Sequence, residues 1–266
     1  MLEQLSDQAV IERRITAVQG LRQVVHAIGA LARAQLPLAE SATGQAMLYL
    51  DAVDSILHRL VGAPESAEGD HQLFVVVGPE RGFCGALAQR IVEQVPPVGA
   101  LGIVGRRLGE AAKLDPAIEP RVRFELGGAV THEDAEGVAV AIAEAVLGLG
   151  HNGQVDVLYP SSGRSDLHRS MLLPKSQQLA QRSLPETYSP LDTVVRAAIA
   201  EAMTGRLALA AAEALRSEIS ARVVAAEQMT RACDDKLEGL RQDWRVARQE
   251  QITSELMEIV AGTRTG

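Results

Sequence analysis

At 266 residues, 47% of them apolar, the chain is long enough for one large domain or two small ones around a substantial core. Aromatic residues make up only 3%, so the packing must rest on Ala, Leu, Val and Ile. A formal net charge of −8 excludes a chain-wide nucleic-acid surface, which would be basic.

The two cysteines, Cys84 and Cys233, lie in unlike contexts, which points to reduced thiols and a cytosolic compartment. The first residues lack the basic-then-apolar pattern of a secretory signal. No apolar run approaches the length of a membrane span, so direct membrane insertion is not expected and any membrane association runs through partners. Of 26 basic residues only Lys113, Lys175 and Lys236 are lysine. Genomic base composition accounts for that bias, and arginine forks contacting partner carboxylates would also produce it.

The first predicted element is a helix within residues 1–61. Ile11, Ile15, Val18, Leu21, Val25, Ile28 and Leu31 recur at steps of three or four, and Ser6 with Asp7 offers a cap before them. Pro37 predicts a kink rather than a stop, because Met47, Leu50, Val53, Ile56, Leu57 and Leu60 resume the period. Gly62-Ala63-Pro64 ends the helix, and residues 65–70 form a polar linker.

The middle of the chain reads differently. Leu73–Val77 is a continuous apolar run before Gly78-Pro79, as expected of a strand buried on both faces. Residues 86–95 read as a helix, 100–104 and 121–126 as strands, 133–149 as an apolar helix, 155–159 as a fourth strand and 170–173 as a fifth. Alternating β and α units predict a mostly parallel, Rossmann-like sheet with flanking helices, placed at residues 70–185.

Residues 190–266 form the last segment. Positions 191–261 contain no proline and only two glycines, Gly205 and Gly239. Leu215, Ile219, Val223, Ala226, Met229, Cys233, Leu237, Leu240 and Trp244 again step by three or four. One helix over that span would be about 105 Å long. Two long amphipathic helices flanking a compact insert predict an α/β fold with a long antiparallel coiled coil of the two termini. The longer C-terminal helix overhangs, its end exposed until something surrounds it.

The chemical motifs are few. Gly82-Phe83-Cys84-Gly85-Ala86 follows a strand and precedes a helix, a placement resembling a nucleophile elbow. A cysteine nucleophile needs a base, and His132, His151 and His168 lack the His-x-Glu spacing of cysteine amidotransferases. A buried packing cysteine beside a glycine-requiring turn is the preferred reading. No phosphate-binding loop of the G-x-x-x-x-G-K-[ST] or G-x-G-x-x-G type occurs, and the histidines and cysteines have no metal-ligand spacing. No cofactor is expected, and the sheet reads as a structural platform.

Three blocks resemble the gamma subunit of the F-type rotary ATP synthase. Residues 247–262 match the family's A-R-Q-x-x-I-T-x-E-L-x-E-I-V-x-G through Arg248, Gln249, Ile252, Thr253, Glu255, Glu258 and Gly262, followed by Thr263 where the family continues with Ala. Arg81, Gly82, Cys84 and Gly85 resemble S-D-R-G-L-C-G, with Pro79-Glu80 in place of Ser/Thr-Asp. Residues 15–19, ITAVQ, resemble I-x-S/A-V-x, whereas residues 23–28, QVVHAI, depart from K-I-T-x-A-M.

The resemblance implies a non-catalytic rotor shaft, the central stalk of the CF(1)-type assembly, at the cytoplasmic face of a bacterial inner membrane. Its implied partners are alpha and beta ATPase subunits, an epsilon-type subunit and the membrane c-ring. It implies that Arg248 and Gln249 contact a beta-subunit loop and, more weakly, that Tyr188 and Pro190 lie near the membrane-ring contact. ATP synthesis or hydrolysis would couple to transport of hydrogen or other ions. Alternatives are a cysteine-dependent hydrolase using Cys84 and a coiled-coil adaptor. The departures at residues 23–28, Pro79-Glu80 and Thr263 mark a divergent, second ion-pumping branch.

Overall fold

The computed structural model describes residues 2–61, 72–151, 153–161, 166–173 and 189–263. Helix α1 (Leu2–Val61) opens the chain. Strand β1 (Leu73–Val77), α2 (Leu87–Val92), β2 (Ala100–Val104), α3 (Arg106–Ala112), β3 (Val122–Leu126), α4 (Ala135–Gly148), β4 (Val155–Pro160) and β5 (Leu167–Leu173) follow, and α5 (Leu191–Thr263) closes it.

The strands form one five-stranded sheet in the order β3-β2-β1-β4-β5. β1 pairs in parallel with both β2 and β4, with Leu73 beside Ala100 on one side and Val155 on the other. β3 also runs parallel to β2, while β5 is antiparallel to β4. From central β1 the chain builds outward on one side, then crosses to the other. This is a doubly wound, Rossmann-like arrangement with its switch point between β1 and β4.

Alternation along β1 explains the layers, since successive side chains of a strand point to opposite faces. Leu73, Val75 and Val77 enter one core with Ile142 and Val146 of α4 and Leu207 and Ala210 of α5. Phe74 and Val76 enter the other with Leu87 and Ile91 of α2 and Leu108 of α3. Gly102 of β2 exists to admit an aromatic ring, because a Cβ there would lie 2.1 Å from Phe124 of β3.

The chain divides into two compact units, Met1–Leu31 with Val223–Gly266, and Ala32–Arg222. In the first, the two helical segments run antiparallel: Glu12 bonds Trp244 at 3.0 Å and Arg22 bonds Asp234 at 2.6 Å, so numbers rise on one helix as they fall on the other. That register brings the start of α1 level with about Glu255, and the last turns of α5 run past it. In the second unit, Val53 and Leu60 of α1 are buried, as are Ala202 and Leu207 of α5.

Several expectations change. α1 begins at Leu2, ahead of Ser6 and Asp7, which lie inside the helix. It runs on through Pro37 without a stop, as the resumed apolar period predicts. Met47 and Ile56 are about half exposed, and so are Leu21 and Leu31. The buried line passes instead through Val25, Ala32, Ala39, Thr43 and Val53, since small side chains allow close helix approach. α2 covers only six residues, because Gln94 and Val95 donate to carbonyls three positions back in a tightened turn. α3 has no counterpart in the sequence reading.

Candidate functional site

Two groups of sequence-predicted residues fall in different units.

In the unit Ala32–Arg222, residues 78–85 leave the carboxyl end of β1, the edge where open α/β sheets bind ligands. The chain's own side chains fill this edge. Oε2 of Glu80 accepts hydrogen bonds from the backbone N–H of Arg106 and of Gly128, each at 2.8 Å. Those donors follow β2 and β3, so one carboxylate ties three strand ends together. Gly105, between β2 and α3, is forced by contact: its φ is +113° and a Cβ there would lie 2.6 Å from the Gly78 carbonyl oxygen.

The same loop is fastened to α5. Oε2 of Glu218 accepts from the backbone N–H of Glu80 at 2.6 Å and of Arg81 at 3.4 Å. Arg222, one turn on, forms an ion pair with Glu218, and its Nε donates to the Gly82 carbonyl at 3.3 Å. Glu218 is 1% exposed and Arg222 is also buried. Burial pushes the Glu218 carboxyl above its usual range, opposed chiefly by the Arg222 charge.

Within this loop, Phe83 is half exposed and has a φ of +60°, unusual for a bulky side chain, while Gly85 adopts φ +59° without penalty. Cys84 is 3% exposed and sits in the core beside Leu87. Its Sγ donates to the Arg81 carbonyl at 3.5 Å. Burial first, then the Glu218 charge, raises its pKa. Both effects favour the thiol over the nucleophilic thiolate, and the glycine-flanked turn packs Cys84 into the core while its backbone meets α5. Arg81 and Gly82 contribute backbone groups to the α5 anchor. Glu80, Glu218 and Arg222 carry this assembly, and the sequence reading passed over them as functional residues.

In the other unit, Arg248 and Gln249 lie exposed on α5. Among the described residues Arg248 has no hydrogen bond or ion pair. Thr253 Oγ1 donates to the Gln249 carbonyl at 2.9 Å, a bond within the helix. Glu255 accepts from Gln251 at 2.8 Å, and Gln251 is buried with its Oε1 unpartnered. Ile252 is largely exposed, as are Leu256, Met257, Ile259 and Val260. Glu258 and Gly262 fall within the helical span of α5. Pro190 precedes α5 and its carbonyl accepts from Thr193 and Val194. Tyr188 lies outside the described residues. None of the described helices is long and apolar enough to cross a membrane.

The family model described as ATP synthase matches residues 7–265. Two curated relatives named ATP synthase gamma chain are similar over almost their whole length. The one from Dehalococcoides mccartyi (strain CBDB1) is 25% identical, covering 97% of this chain and 98% of the relative. The one from Akkermansia muciniphila is 26% identical, covering 96% and 97%. Among solved structures, the rotor of Euglena gracilis mitochondrial ATP synthase superposes with a TM-score of 0.69 at 14% identity, covering 93% of this chain and 99% of that one. The central stalk of the Tetrahymena thermophila mitochondrial enzyme gives 0.56 at 15% identity, covering 77% and 98%.

Proposed function

The chain belongs to the ATP synthase family, and on that premise we propose that it is the gamma-type rotor shaft of the central stalk, coupling nucleotide chemistry in a ring of alpha and beta subunits to ion movement through a membrane ring. The observation that carries this reading is where its polar chemistry is spent. Glu80, Glu218 and Arg222 are consumed in closing the sheet's ligand edge and fastening it to α5. Arg248 and Gln249, by contrast, are exposed on α5, and among the described residues Arg248 has no hydrogen bond or ion pair.

A shaft acts by presenting different faces to otherwise identical catalytic sites. Each site then meets a different contact, and differential contact becomes differential nucleotide affinity. On this reading the chain performs no chemical step, which the burial of Cys84 and the upward shift of its thiol pKa support. The coupled ion is selected by the membrane ring, and the chain sits peripherally at the cytoplasmic membrane face through its partners, an epsilon-type subunit among them. The test is affinity purification of the tagged full chain from its native cells. Alpha- and beta-type subunits are expected to co-purify with ATP hydrolysis activity. A preparation of the folded chain free of both would overturn the shaft in favour of an adaptor.

A further inference from the structure

In the unit Met1–Leu31 with Val223–Gly266, the two helices meet along a seam that steps alternately by three and four residues, the spacing of a coiled coil. On α1 it runs through Gln8, Ile11, Ile15 and Val18, and the residues between them are exposed. On α5 it runs through Leu240, Trp244, Ala247 and Gln251, again with exposed residues between. Ile15 and Trp244 line one recess, which fixes how the two series face each other. Counted outward from that layer along the antiparallel pair, Ile11 meets Ala247 and Gln8 meets Gln251. The seam therefore closes on two glutamines, whereas the layers just inside them are apolar.

Both glutamines are buried, Gln8 at 8% exposure and Gln251 at 9%. Each keeps one polar atom without a partner, and the two atoms are complementary: Nε2 of Gln8 is a donor and Oε1 of Gln251 an acceptor. Nε2 of Gln251 already donates to Glu255 at 2.8 Å, which leaves Oε1 as the unused end of that amide. Helical side chains lean toward the start of their own helix, so on antiparallel helices they lean in opposite directions. The Glu12–Trp244 bond puts Gln8 about level with residue 248, less than one turn short of Gln251. Gln251 leans back toward that level and Gln8 leans out toward Gln251, so the two amides converge. We infer that Gln8 and Gln251 form a clasp, with Nε2 of Gln8 donating to Oε1 of Gln251 after rotation of the amides, that holds the first turns of α1 on α5. A shift of the helices by one turn would set both amides against apolar seam residues, so the clasp also fixes the register. It depends on the helix pair alone and not on the shaft reading.

Hydrogen exchange of the full-length chain, read by mass spectrometry on peptides spanning Ile11 to Val18, tests the clasp. Gln8→Met and Gln251→Met keep the unbranched shape and the helix preference of glutamine, so circular dichroism should show unchanged helix content. Each single change strands the partner amide in the seam and should lower the protection of those backbone amides at least about fivefold. The double variant removes donor and acceptor together, so its amides should exchange within about twofold of the wild-type rate, or more slowly. Single variants with wild-type protection would overturn the clasp. So would a double variant whose loss is the product of the two single losses, the mark of independent sites.

Discussion

Glu218 and Arg222 illustrate how little a charged pair reveals until its surroundings are known. In sequence they are an i,i+4 pair on a helix, the commonest form of solvated surface charge. In the fold both are buried, because the loop after β1 lies over them and gives its backbone donors to the carboxylate. Removing one member of a buried pair leaves an uncompensated charge, so Arg222→Ala should cost about 3–5 kcal/mol near neutral pH. The cost should depend on pH in a defined sense. The native carboxyl of Glu218 already titrates above its unfolded value, so its contribution to stability falls as pH rises through that window. Without Arg222 the native value rises further, so the penalty is largest in alkali and shrinks as Glu218 takes up a proton. Denaturant unfolding of both proteins at about pH 8 and about pH 5.5 checks this; an equal loss at both would show that Glu218 carries no unpaired charge in the variant.

Elements were legible in proportion to the length and regularity of their patterns. β1 could be read at once because both its faces are buried, leaving an uninterrupted apolar run. α4 is legible from its length and its high apolar content, although only Ala139, Ile142, Ala143 and Val146 are buried. α3 was not: its seven residues make barely two turns, Gly109 interrupts them, and no side-chain cap marks the start. It begins where it does because Gly105 turns the chain against the backbone of Gly78 and Pro79, which also explains why no larger residue announces the element. The buried line of α1 was misplaced at Met47 and Ile56 because large apolar residues attract attention, whereas Ala32, Ala39 and Thr43 are what a close neighbour selects. Gly105→Ala tests the turn. It combines a positive φ with contact to two carbonyl oxygens that cannot move cheaply, so it should destabilise the chain by more than about 2 kcal/mol in urea unfolding. A change within about 0.5 kcal/mol, typical of an unconstrained surface position, would mean that α3 starts independently of this contact.

At the scale of the whole molecule, the sequence announces one long helix through the near absence of breakers in residues 191–261, another through the apolar period of residues 1–61, and a family through the block at residues 247–262. What it could not disclose was which polar groups are free, because that depends on partners brought in by folding. Glu80 and Arg248 are both charged residues beside or within the family-like blocks, yet Glu80 holds two backbone N–H groups and Arg248 holds nothing among the described residues. On the proposed reading, Arg248 and Gln249 are the residues offered to a surrounding subunit. Replacing both with Ala should leave the helix content intact, since Ala is the better helix former. If a beta-subunit loop desolvates the pair, its loss removes a few kcal/mol of contact, whereas an exposed pair contributes roughly 0–1 kcal/mol. On the proposed reading the consequence belongs to coupling rather than to chemistry, because the shaft would act only by making the ring's sites unequal. In reconstituted vesicles carrying the assembled complex, the double variant should transport fewer ions per ATP hydrolysed, or assemble less well, than the wild type. Wild-type transport and hydrolysis would reduce Arg248 and Gln249 to a solvated helix face and move the grip elsewhere on α5, to the exposed apolar residues Ile252, Leu256 and Ile259 that follow them.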